Sequence, residues 1–250
     1  MGIEHLSDLN VVLIASTFFF AGVVKGILGF GTPLIVIPVV TALFDVVTAL
    51  VMVAIPTLIP NLWQMWQFRN ARDRHEQLLF LIVGMIPGIA IGASILAQHH
   101  ASVILSQSLG LMICVFLLTR FFSIDKMVSS HGAKLLSFPV GVATGFLAGT
   151  VGITSPVTLT YLAAQKLSRR LFIYQVSAVF AAMGGLQAVF FYRQNLADLN
   201  ILFLSVLGLF PLFFGMLIGQ IVGAQISQSR FEKLVYAALG FIGVKLIIGI

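Results

Sequence analysis

Apolar residues run along this chain in long unbroken blocks instead of alternating. Six blocks reach the ~20 residues that a membrane-spanning helix requires: about 48–68, 78–96, 101–122, 171–192, 201–222 and 231–250. Four are shorter and form adjacent pairs, 9–24 with 32–44 and 135–148 with 153–164. Barrel strands would alternate over roughly ten residues, so the blocks predict helices.

Each short pair is divided by a glycine-proline stretch. The first, GVVKGILGFGTPLIVIP from Gly22 to Pro38, holds Gly22, Gly26, Gly29, Gly31, Pro33 and Pro38. A helix interior disfavours each glycine by ~1 kcal/mol and each proline by ~3 kcal/mol relative to alanine, and proline also lacks a backbone donor. A continuous helix is therefore not expected there. Gly145, Gly149, Gly152 and Pro156 repeat Gly22, Gly26, Gly29 and Pro33, each 123 positions on, and Gln64 and Gln187 keep that offset. Gly84-x-x-Pro87 returns as Gly208-x-x-Pro211. Gly88-x3-Gly92 resembles Gly215-x3-Gly219, a spacing of small residues that lets helices pack closely in lipid. The order is pair, three spans, polar linker, pair, three spans. The expected division is a first repeat at 1–122, a linker at 123–133 and a second repeat at 134–250.

Composition fixes the class. The chain is 59% hydrophobic and 9% charged, against roughly 25% charged residues in a soluble domain. It has too little polar surface to cover itself in water, so it is expected in the membrane. Glu4 and Asp8 precede the first apolar block without any Lys or Arg. That is not the basic start of a cleaved signal, and the block is expected to stay. The net charge of +6 does not indicate nucleic acid, because basic loops in such a chain set topology. Eleven of the 14 Lys and Arg residues cluster at Arg69/Arg72/Arg74, Arg120/Lys126/Lys134, Lys166/Arg169/Arg170 and Arg230/Lys233. If each short pair is a hairpin, all four clusters fall on one face, the cytoplasmic one. If each pair is one broken crossing, the first cluster lies opposite the other three. The hairpin reading makes each half cross an odd number of times, so the halves are inverted copies, as in many secondary transporters. The expected fold is all-α, a multi-pass protein of the cell (inner) membrane. It has about 8 membrane segments in two inverted repeats, the first segment of each broken or re-entrant.

Unpaired backbone at membrane depth survives only where it is buried in protein or lines a wet cavity. The start of a half-helix presents free N–H groups and a partial positive charge there. Pro33 and Pro156 suit a first helical turn, which makes Thr32 and Ser155 helix starts and places Thr32, Thr154 and Ser155 to cap or to bind. Two inverted starts facing each other would form an anion site near the midplane. Lys25 supports that sign. A lone cation among apolar residues is expensive and usually functional, although it is also within snorkelling reach of an interface. Its counterpart in the second copy is Ala148. Asn61, Gln64 and Gln187 lie inside long spans, where amides line a path or join helices. Trp63, Trp66 and Tyr192 read as interface aromatics. Cys114 is alone. No histidine pair has metal-ligand spacing, no carboxylate lies mid-span, and GILGFG has the wrong glycine order for a dinucleotide loop. Neither an enzyme nor a cofactor is expected.

With GILGFGTPLIVIP and GFLAGTVGITSP in two halves of this length, the chain resembles the sulfite exporter TauE/SafE family, within the toluene sulfonate uptake permease superfamily. It departs from the family pattern at Thr154-Ser155, where glycines are usual, and at Tyr161, which stands where the first copy has Pro38. The resemblance implies a transporter of small sulfur-containing or organic anions such as sulfite or a sulfonate. The expected function is a secondary transporter, on balance an exporter, working by alternating access. The alternative is a non-transporting membrane partner or scaffold derived from the same fold. The expected substrate-binding residues are Lys25, Gly29, Gly31, Thr32, Asn61, Gln64, Gly152, Thr154, Ser155 and Gln187. The expected partners are a small anion and the lipid bilayer; a coupling ion (H+ or Na+) and a homodimer stay open.

Overall fold

The computed structural model describes residues 8–71, 76–99, 103–121, 130–223 and, near the C-terminus, 240, 244, 247 and 248. Every regular element among them is helical. The first stretch holds α1 (Asp8–Leu28), α2 (Thr32–Leu43), α3 (Val46–Gln67) and a 3-10 turn (Arg69–Ala71). Next come α4 (Glu76–His99) and α5 (Val103–Phe121). Then follow α6 (Ser130–Thr150), α7 (Ser155–Ala163), α8 (Arg169–Arg193), α9 (Leu199–Leu207) and α10 (Leu209–Gly223). Among the described residues, six stretches are long and apolar enough to cross a membrane: α1, α3, α4, most of α6, α8, and α9 with α10. Most of the span expected at 231–250 and all the histidine side chains lie outside the described residues.

The glycine-rich stretches break the chain less than expected. α1 passes through Gly22 and Gly26 to Leu28, and α6 passes through Gly145 and Gly149 to Thr150. Both first limbs, expected to be short, are therefore 21 residues long. Packing outweighs propensity here. A Cβ at Gly26 would lie 2.8 Å from Gln220 N, and one at Gly215 3.1 Å from Val23 N. A Cβ at Gly92 would lie 2.6 Å from Phe146 O, and one at Gly149 2.8 Å from Ala93 N. So α1 lies backbone to backbone on α10, and α4 on α6. The true breaks are only 29–31 and 151–154. Gly29 (φ 86°), Gly31 (φ 124°) and Gly152 (φ 73°) take up the left-handed backbone there, which a residue with a Cβ adopts at a penalty.

The close contacts give helix directions. Gly84, Gly88 and Gly92 meet Phe138, Val142 and Phe146 in the same order, and Gly22 and Gly26 meet Leu212 and Met216. Both pairs run parallel. In contrast, Gly184 meets Ala54 and Leu58 while Ser177 meets Gln64, so α3 and α8 are antiparallel. α7 folds back along α6: Thr144 Oγ1 and Thr158 Oγ1 are 3.3 Å apart, and Tyr161 Oη donates to Ala133 O at 2.7 Å. One continuous crossing would put Thr144 and Thr158 ~20 Å apart at 1.5 Å per residue. α2 packs on α1 across the first break. If the other connections reverse the chain, antiparallel α3 and α8 require a hairpin at α6–α7, parallel α1 and α10 then require one at α1–α2, and the starts of α4, α6 and α8 share the face of the basic clusters. On that face Lys134 pairs with Glu76.

α3 and α8 form the centre. Buried residues make up 67% of the α3 span and 61% of the α8 span, against 33–39% for the other four. The outer helices carry apolar residues on their exposed sides, among them Leu135, Phe203 and Phe210, as a lipid-facing surface requires. Trp63, Trp66 and Tyr192 are exposed near the ends of their helices, as interface aromatics are.

Two boundaries differ from expectation. The span at 201–222 is two helices meeting at Gly208. A Cβ there would lie 2.7 Å from the Phe18 ring, and Pro211 has no N–H to continue the ladder. α6 begins at Ser130, so the last residues of the polar linker are helical. Three helix starts outside the breaks are capped by side chains: Asp45 Oδ1 accepts from Thr48 N at 2.9 Å, Ser168 Oγ from Leu171 N at 3.4 Å and Asp198 Oδ1 from Asn200 N at 2.7 Å.

The glycine contacts are testable. Gly92→Leu is expected to destabilise the folded protein by about 3 kcal/mol or more, since overpacking already costs 1–3 kcal/mol where side chains can shift and backbone cannot. Gly185→Ala, whose Cβ would meet only Leu58 Cδ1 at 3.8 Å, is expected to be neutral or stabilising by up to ~1 kcal/mol. Thermal unfolding in detergent measures both; equal midpoints would refute the close packing.

Candidate functional site: a buried lysine at the first helix break

Lys25 stands in the last turn of α1, immediately before the first break, and is 1% exposed. It does not snorkel. Its ammonium donates to Asn61 Oδ1 at 2.7 Å and to Gln64 Oε1 at 3.1 Å. Both amides come from the last two turns of α3, on the face opposite the exposed Trp63 and Trp66. Asn61 Nδ2 in turn donates to Thr57 O at 2.5 Å. Gln64 Oε1 also accepts from Ser177 Oγ of α8 at 2.8 Å. The network thus joins α1, α3 and α8, with every member buried.

Its partners are all neutral. An ammonium has three donors, and two have acceptors; among the described residues the third has none, and no carboxylate touches Lys25. The first break lies against the network: a Cβ at Gly29 would be 3.7 Å from Gln64 Nε2 and 3.5 Å from Ile173 Cγ1. α2 then starts at Thr32-Pro33 with Gly31 as its N-cap, and no side chain caps it. Thr32 Oγ1 is buried without a partner among the described residues. The expected capping by Thr32 does not occur, so the first N–H groups of α2 and the Thr32 hydroxyl are available together.

The second break has the same plan with less polarity. α7 starts at Ser155-Pro156 behind Thr154, again without a side-chain cap. Thr154 Oγ1 donates to Met183 Sδ at 3.6 Å. Gly152 is tight against Leu50 and Ile37 side chains, and its N–H donates to Leu147 O at 2.7 Å. Gln187 Nε2 donates to Ala148 O at 2.8 Å, while its Oε1 is buried without a partner among the described residues. Position 25 therefore meets position 64, and position 148 meets position 187.

The ten expected site residues fall into two groups. Lys25, Gly29, Gly31, Thr32, Asn61 and Gln64 gather at the first break. Gly152, Thr154, Ser155 and Gln187 surround the second. On α8, Ile173 faces the first break and Met183 the second. Those ten residues of helix span ~15 Å, so the two starts occupy different depths. Ser177 is a member that sequence reasoning missed. A lone serine in an apolar span carries no pattern, and its counterpart in the first half is Ala54.

The described residues hold no group of three or more His, Cys, Asp or Glu side chains suited to a metal ion. What the first break can do chemically is hold one small anion: a cation, an unpaired hydroxyl, amides and a free helix start converge on it. The profile of the sulfite exporter TauE/SafE family matches residues 14–246, nearly the whole chain. No curated protein and no solved structure matches it. The match covers both breaks and the lysine network, and it makes the protein a membrane transporter and not an enzyme; the chain belongs to the sulfite exporter TauE/SafE family.

Proposed function

We propose that this protein exports a small oxyanion, sulfite or an organic sulfonate, across the cell (inner) membrane as a secondary transporter. The observation that carries the reading is the Lys25 ammonium, buried and, among the described residues, bonded only to neutral amides that take two of its three donors. A buried charge without a counter-charge is costly, and an anion arriving beside it would remove that penalty. The Thr32 hydroxyl and the free N–H groups at the start of α2 would bind its oxygens, with Asn61 and Gln64 orienting the lysine. Export fits the energetics, because an inside-negative potential drives an anion outward by ~2.3 kcal/mol per charge per 100 mV.

Alternating access between two inverted repeats is the mechanism we favour. It is supported by antiparallel α3 and α8, by two hairpins at equivalent positions, and by the matching 25–64 and 148–187 contacts. The second break, with Gly152, Thr154, Ser155 and Gln187, would receive the anion in the opposite state. The orphaned Gln187 Oε1 would then gain a donor as the helices shift.

Two measurements test this. Purified protein is expected to gain thermal stability from sulfite, sulfate, thiosulfate or sulfoacetate. One binding anion class should add ~2.7 kcal/mol at one hundred times its dissociation constant and more as its concentration rises, and neutral sugars should give nothing. Lys25→Met is expected to remain folded, because an uncompensated charge is replaced by an apolar chain of similar length, and to lose the anion-dependent shift. Retention of that shift in Lys25→Met would sink the assignment. Thr32→Leu and Ser155→Leu are each expected to reduce counterflow in proteoliposomes at least tenfold while expression is unchanged. Wild-type flux in both would remove the helix starts from the site.

A further inference from the structure

A cavity of about 710 Å³ opens between the end of α3, the following 3-10 turn and the start of α8. Its polar wall is Gln67, Asn70, Ser168 and Arg170, with Phe68 and Leu171 beside them. The first half thus supplies one wall and the second half the other. Among the described residues that line it, Arg170 is the one charged side chain. Nearby Arg69 is already engaged: its guanidinium lies 4.6 Å over the Trp66 ring and donates to Trp66 O at 3.3 Å. Arg170, among the described residues, has no ion-pair partner. The cavity also sits on the face that carries the basic clusters.

Its inner end points at the lysine network. Gln67 is one turn of α3 below Gln64, which holds Lys25 and Ser177. Leu171 is two residues before Ile173, whose side chain abuts Gly29. One helical turn is ~5 Å, so the inner end of the cavity lies about one turn from Gln64 and from the residue that abuts the first break.

We propose that this cavity is an anion-binding vestibule in which Arg170 and Asn70 capture a small oxyanion from the basic face before it moves on to Lys25. The proposal rests on the anion-transport reading and adds to it a second site and a side of access. A guanidinium in a concave wall concentrates anions locally, and electrostatic focusing of this kind raises arrival rates by ~10-fold or more. Arg also presents a planar fork that matches sulfonate and sulfite oxygens two at a time.

The chain has a single cysteine, Cys114, so a reporter is simple to place. In a Cys114→Ser background, Asn70→Cys is labelled with methanethiosulfonates of opposite charge on purified, folded protein. The anionic reagent is expected to react about tenfold faster than the cationic one, relative to the same pair of reagents on a free thiol. Arg170→Gln should abolish that preference, Arg170→Lys should keep most of it, and added sulfoacetate should slow the reaction. Equal rates for both reagents, or a preference untouched by Arg170→Gln, would overturn the vestibule. Flux separates the two readings. If Asn70→Cys shows the preference but Lys25→Met still transports, the vestibule stands and the lysine site falls. If Lys25→Met loses flux but Asn70→Cys shows no preference, the lysine site stands and the vestibule falls. A raised KM in Arg170→Gln, with a smaller change in kcat, is the expected result when both hold.

Discussion

Close approach of glycine backbones is the constraint on which this structure depends. Lipid tails are as apolar as leucine, so helices in a membrane are held by packing and hydrogen bonds. In this chain α1 reaches α10 through Gly22, Gly26, Gly215 and Gly219, and α4 reaches α6 through Gly84, Gly88, Gly92, Gly141, Gly145 and Gly149. These contacts fix the long limb of each hairpin against a helix of the opposite half. That leaves the short limbs, α2 and α7, to pack on the central pair of α3 and α8, where the uncapped helix starts are kept from lipid.

The buried lysine is tolerated because of that enclosure. An ammonium in hydrocarbon is unfavourable by several kcal/mol even after relaxation, and two amides and a serine offset only part of it. The asymmetry between halves sharpens the point. The equivalent positions around the second break are Ala148, Gly184 and Ala54 where the first network has Lys25, Asn61 and Ser177, and only Gln187 is retained. One end of the structure therefore carries a charge, while the equivalent place at the other end carries a single amide. An anion crossing such a protein would meet a strong site at one depth and a weak one at the other.

Much of the fold was legible in the sequence, because helix length and charge clustering are one-dimensional properties. The helix starts at Thr32 and Ser155 were legible for the same reason: Pro33 and Pro156 mark a first turn by lacking a donor. The glycines were misread as to their work. Gly22, Gly26, Gly145 and Gly149 carry the same local penalty as Gly29 and Gly152, yet they face a neighbouring backbone, and only the tertiary partner tells the two uses apart. The site was legible in part. Lys25, Asn61 and Gln64 stood out as polar groups in apolar helices, but that they share one set of hydrogen bonds depends on the crossing of α1 and α3. Ser177 as a member of the lysine network was invisible, since a serine in a span is ordinary where it occurs.

The way the glycine stripes are paired has a consequence for each half considered alone. The stripe on α4 is filled by α6, and the stripe on α1 by α10; the glycine seam of each half is closed by a helix from the other. Helices far apart in the sequence are thereby locked together at both seams, so a chain cut between α5 and α6 would leave glycine backbone on α1 and α4 facing lipid until the other piece returned.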